Sequence, residues 1–172
     1  MAKKTSPARL KMIEARYQDI RSQCWPELDD SQLWYRKEKA GFVTIPRALP
    51  YFHVIMNSMS KGKPVSSTYF GLWCRVFDQS IIIIENPEKM AFEAGYTGQR
   101  AVVTWKERMR ILMDLGFIDA KPGASGDYNY VLLFNPYLVV KRLYENKQLP
   151  EEREYFALFD RATEIGAAND LK

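Results

Sequence analysis

The stretch IIIIENPEKMAFEAGYTGQRAVVTWKERMRILMDLGFI, residues 81–118, decides the architecture. Ile81 to Ile84 are four β-branched residues in a row and predict a short buried strand. Asn86-Pro87-Glu88 is a helix start, with a capping Asn and Pro at the first helical position. That helix covers Glu88 to Ala94, with Met90 and Ala91 or Phe92 inward, and Gly95 ends it. Tyr96-Thr97-Gly98 leaves room only for a turn. From Gln99 to Leu115 the pattern becomes helical again. At about 100° per residue, Ala101, Val102, Trp105, Met109, Leu112 and Met113 share one face. The other side presents Gln99, Arg100, Val103, Thr104, Lys106, Glu107 and Arg110. Gly116 closes the helix. A hairpin follows: Phe117–Lys121, a pliable tip over Pro122–Asp127, and a return strand from Tyr128 to Phe134.

Working outward, Ser66 or Ser67 caps a helix to about Asp78, with a stripe of Tyr69, Phe70, Trp73, Val76 and Phe77. Ser60–Pro64 is a loop. Pro46 begins a helix to about Met59 that buries Leu49, Phe52, Ile55, Met56 and Met59. Pro50 falls in its first turn or so, where the missing N–H does least harm. Phe42–Ile45 reads as a short strand. Ser6-Pro7 starts a helix to about Gln23 whose spacing buries Leu10, Ile13, Tyr17 and Ile20. A second short helix covers Asp30 to Lys39, with Arg36–Lys39 as its solvated face. Downstream, Asn135-Pro136 starts a helix to about Asn146, and an amphipathic helix runs from Pro150 to Ile165. The expected fold is mainly α with a small β component. Residues 1–64 form a helical extension with a short strand, 65–135 the central domain and 136–172 the C-terminal helices.

Composition bounds the function. The chain has 172 residues, of which 47% are hydrophobic, enough for a real core. The four tryptophans, Trp25, Trp34, Trp73 and Trp105, read as core residues. The net charge of +4 is unevenly spread. Residues 144–172 hold seven acids against four bases, a net of −3, which leaves +7 on residues 1–143. The positive charge therefore sits away from the C-terminal tail. Cys24 and Cys74 lie far apart with no CxxC pair, which reads as a reduced, cytoplasmic protein rather than a disulfide framework. Lys3 and Lys4 precede no apolar run, so no signal peptide is expected, and Ile81–Ile84 is too short to span a membrane. His53 is the one histidine and has no Ser or Cys partner set; a packed or surface role is expected. No metal-ligand spacing and no phosphate-binding glycine motif occur. No enzyme activity, cofactor, metal or small-molecule substrate is expected.

The ordered set from Ser66 to Phe134 resembles the winged helix-turn-helix family. Ile81–Ile84 matches the short strand and Asn86–Ala94 the first helix. Gly95-Tyr96-Thr97 matches the turn, Gln99–Leu115 the recognition helix, and Leu115-Gly116-Phe117-Ile118 the entry to the wing. The resemblance covers about 70 residues. It implies a winged-helix core flanked by N- and C-terminal helices. It also implies double-stranded DNA as partner, in a transcriptional regulator or a plasmid or phage maintenance factor, with a replication initiator as the alternative. Gly41–Pro46 and Leu133–Pro136 look like the flanks of plasmid-encoded members. A third reading, from another class, is a winged-helix protein-interaction module without nucleic acid.

Carried onto these residues, the reading has chemical content. A helix fits the major groove, about 12 Å wide. Arg100 suits a guanine and Gln99 an adenine, each good bidentate pair giving roughly 1–3 kcal/mol of discrimination. Thr97 and Thr104 suit a phosphate or a thymine methyl. Lys106 and Arg110 suit phosphates. Glu107 accepts from a cytosine or pairs with Arg100 or Arg110. Val103 completes the face, and Lys121 and Ser125 are the wing residues. Such readers usually dimerise, and helices 7–23 and 150–165 are the dimer candidates. In the latter, Tyr155, Phe156, Leu158 and Phe159 exceed what a solvated tail needs.

Overall fold

The computed structural model describes residues 6–34, 36 and 40–171, the side chain of Leu10 excepted. The chain divides into two units, at Phe42 and Val43.

In the smaller unit, α1 spans Pro7–Cys24; the Ser6 hydroxyl accepts the Arg9 N–H and Pro7 opens the helix. Arg21 pairs with Asp30 at 3.0 Å, across a single 3-10 turn, Asp30–Gln32. The expected helix over 30–39 is not formed: Leu33 is already extended, and 35 and 37–39 lie outside the described residues. The burial predicted for α1 is also overturned. Ile13, Tyr17 and Ile20 are exposed, Tyr17 by 69%, as are Trp25 and Trp34. The spacing makes an apolar stripe, but among the described residues this unit supplies no layer to receive it.

The larger unit holds the core. Its helix α2, Leu49–Met59, buries Leu49, Phe52, Ile55 and Met56 at helical spacing, with Pro50 in the first turn. Phe42–Ile45 is not a strand, because no ladder partner reaches it. The next helix, α3, covers Ser66–Trp73. Asn57 of α2 organises its start. The side-chain carbonyl of Asn57 accepts the N–H groups of Val65 and Ser66 at 2.9 and 3.0 Å, and its amide donates to the Ser66 hydroxyl. Asn57→Ala is expected to lower stability by roughly 1–3 kcal/mol, the cost of orphaning part-buried donors, with Asn57→Asp keeping most of it. Urea denaturation of the two variants checks this; equal losses would contradict it.

Helix α3 stops five residues short of the expected Asp78, and Phe77 is 83% exposed. Arg75 instead holds Glu93 through Nε and Nη2, and the chain turns at Ser80, φ +58°, into the sheet. Strands β1, Ile81–Ile83, β2, Ile118–Gly123, and β3, Gly126–Leu133, form one antiparallel sheet in the order β1-β3-β2. Of the four isoleucines expected to be buried, only Ile82 and Ile84 are; Ile83 is 60% exposed. Strand side chains alternate, and the core covers one face of this sheet only. The hairpin tip is tighter than expected, with Ala124-Ser125 between the strands. The Ser125 hydroxyl and the Asn129 amide both donate to the Ile84 carbonyl.

The C-terminal helices complete the core. Asn135 caps α6, Pro136–Glu145, and Glu152–Glu164 forms α7. Tyr155, Leu158 and Ala162 of α7 are buried, next to α2 and α6, and Tyr155 stacks on Tyr144 at 3.8 Å. The apolar face expected to serve dimerisation is thus spent inside the chain, with Phe156 left exposed.

His53 sits between the rings of Tyr69 and Phe70, each 6.4 Å away, and burial lowers its pKa from the ordinary 6.5. A depressed histidine means that the unfolded chain takes up the proton first. Its contribution to stability is therefore complete above 6.5 and lost as pH falls through the folded value. The melting temperature of the wild type should fall in that window relative to His53→Phe; parallel pH profiles would refute it.

Candidate nucleic-acid interface

The segment from 87 to 133 holds a short helix, a turn, a longer helix and a hairpin. Asn86 caps α4, Pro87–Glu93, by accepting the Lys89 N–H at 2.9 Å. Met90 and Ala91 face the core; Phe92, the alternative inward residue, is exposed. Gly95, φ +84°, lets the chain reverse, and the Tyr96 N–H returns to the Ala91 carbonyl at 2.9 Å. The Tyr96 hydroxyl meets Thr68 Oγ1 at 2.9 Å, tying the turn to α3. Helix α5, Ala101–Asp114, begins two residues later than expected, so Gln99 and Arg100 belong to the turn. No side chain caps its N-terminus.

Trp105, Met109 and Leu112 anchor the inner face of α5 in the core. The outer face carries Val103 and Arg110, two turns apart, preceded by exposed Thr97, Gln99 and Arg100. Thr104 and Lys106 lie half-buried on its flanks. On one flank stands the hairpin: the Tyr128 hydroxyl donates to the Lys106 carbonyl at 3.2 Å, and its ring packs edge-on against Trp105. Burial raises the Tyr128 pKa, with Asp127 adding to the shift and Arg110 opposing it, so both charges lie near this junction.

On the other flank stands the loop between α2 and α3. Lys63 pairs with Glu107, and Arg108 donates to Glu107 Oε2 at 2.8 Å and to the Pro64 carbonyl at 3.1 Å. Hydrogen bonding from Lys63, above all, holds the Glu107 carboxyl below the ordinary carboxylate range. Glu107 therefore pairs with Lys63 and Arg108, not with Arg100 or Arg110. Sequence reasoning missed Lys63. Two lysines around Gly62 in a loop were its only signal, and which helix they reach is a tertiary matter. Two hairpin residues expected to serve the interface are also engaged: Lys121 with Asp119 at 3.0 Å, and Ser125 with the Ile84 carbonyl.

Thus Thr97, Gln99, Arg100, Val103 and Arg110 are all exposed on α5 or the turn before it, while Glu107, Lys121 and Ser125 have partners of their own. On the sheet's outer face, Ile81 and Ile83 pair with Leu132 and Tyr130, and all four are exposed. Among the described residues no cluster of His, Cys, Asp or Glu is built to hold a metal, and no helix is long and apolar enough to cross a membrane. No family model, curated protein or solved structure matches the chain.

Proposed function

We propose that this protein is a sequence-specific double-stranded DNA-binding protein, with residues 65–135 as a winged helix-turn-helix and α5 in the major groove. The observation that carries the reading is the outer face of α5. Arg110 stands there, and Arg100 in the turn just before it, both free of any acidic partner in the hydrogen bonds and ion pairs described, while the inner face is locked by Trp105, Met109 and Leu112. The order α3, β1, α4, turn, α5, β2, β3, with the strands arranged β1-β3-β2, supports the winged-helix reading. An uncapped α5 N-terminus offers backbone N–H groups to a phosphate.

A transcriptional regulator or a plasmid or phage maintenance factor fits this chemistry, and a replication initiator shares it. Reading two half-sites about 34 Å apart requires a homodimer. With the face of α7 spent internally, the exposed side of α1 is the remaining dimer candidate. One observation favours a protein partner as well: the apolar outer face of the sheet at Ile81, Ile83, Tyr130 and Leu132.

The test is binding of a fluorescent random-sequence duplex across a salt series. Affinity that falls steeply with salt is expected. Folded protein that binds no duplex even at low salt would remove the DNA reading and bring the protein-interaction module forward.

A further inference from the structure

Val103 is the oddity of the α5 surface. It is 58% exposed, two residues from the fully buried Trp105 and so on the opposite side of the helix. A β-branched residue is a weaker helix former than Ala, Glu or Lys, and at this exposure packing does not compensate. Its neighbours on the face are polar or cationic: Gln99 and Arg100 before it, Arg110 two turns on. Glu107, one turn on, is paired with Lys63 and Arg108.

In the major groove most recognition atoms are donors and acceptors; the apolar feature is the C5 methyl group of a pyrimidine. Resting on the DNA reading above, we propose that Val103 is a specificity-determining residue that packs on a pyrimidine C5 methyl. Arg100 stands just before the first turn of α5 and Val103 lies in that turn, so the methyl belongs to a base pair near the one Arg100 reads. Thymine and 5-methylcytosine both carry this group.

The experiment first selects a preferred duplex from a random library with the full chain. Each thymine of that duplex is then replaced by deoxyuridine, which keeps the pairing and lacks the methyl. One thymine is expected whose replacement weakens wild-type binding about fourfold, the worth of burying one methyl-sized group, and leaves Val103→Ala unaffected. Cytosine and 5-methylcytosine at that same position separate the sources. A matching gain on methylation for the wild type, absent in the variant, assigns recognition to the methyl itself; a thymine effect without that gain restricts it to thymine. Val103→Ala must keep the wild-type melting temperature. If a site is selected but no thymine methyl is felt through Val103, the inference falls and the DNA reading stands. If no site is selected and no random duplex binds, the DNA reading falls with it.

Discussion

Trp105→Ala is expected to destabilise the larger unit by about 3–5 kcal/mol. Trp105 is fully buried in the middle of α5 and meets Tyr128 of the hairpin at 5.6 Å. Truncation would open the largest void a single substitution can make here and loosen α5 from the strand beside it. A domain of this size holds only about 5–15 kcal/mol in total, so the variant should sit close to its unfolding transition. Trp105→Phe is the control. It keeps the ring and removes an indole N–H that is buried without a hydrogen-bond partner, so it should lose much less. Denaturant titration followed by circular dichroism distinguishes them. An alanine variant within about 1 kcal/mol of the wild type would mean that Trp105 is not the anchor of α5.

The second large effect concerns the outer face and one flank of the same helix. Lys106→Ala/Arg110→Ala is expected to weaken binding of duplex DNA similarly across sequences. It should also reduce the slope of log affinity against log salt by roughly 2, about one for each phosphate that is no longer neutralised. Arg100→Ala should behave differently. Its expected loss is about 1–3 kcal/mol on a selected site, with relaxed preference at one base pair. The two patterns separate charges that hold the backbone from one that reads a base. Unchanged slopes in the double variant would show that these residues do not touch the phosphates. Arg110 is exposed, so its contribution to folding is small; Lys106 is half-buried, and its variant needs a melting curve beside the binding curve.

Much of this architecture is legible in the residues because its signals are local. Asn86-Pro87 and Asn135-Pro136 start α4 and α6 as expected, each Asn accepting a backbone N–H of the first turn. Gly95 and Gly116 stand at φ +84° and +80°, where the two helices end. Trp105, Met109 and Leu112 point inward because helical geometry permits no other arrangement of that spacing. The failures share one cause. Ile13, Tyr17 and Ile20 satisfy a helical stripe but meet no packing layer, and Phe42–Ile45 has strand composition but no neighbour to pair with. The α7 face looked surplus only because its receptor, α2, lies almost a hundred residues earlier in the chain.

By itself, then, the sequence determined the starts of α1, α4 and α6, which side of α5 is apolar, and that cations gather on its other side. These follow from dihedral preferences, capping and periodicity, which act within a few residues. Only the tertiary structure decided that β3 sits between β1 and β2 and that a single face of the isoleucine run is covered. It likewise decided that Lys63 and Arg108 claim Glu107, so that Gln99, Arg100, Val103 and Arg110 are left as the open surface. Each of those outcomes depends on which distant segment arrives beside a given side chain, and packing and pairing across the whole core, rather than any local preference, select that neighbour.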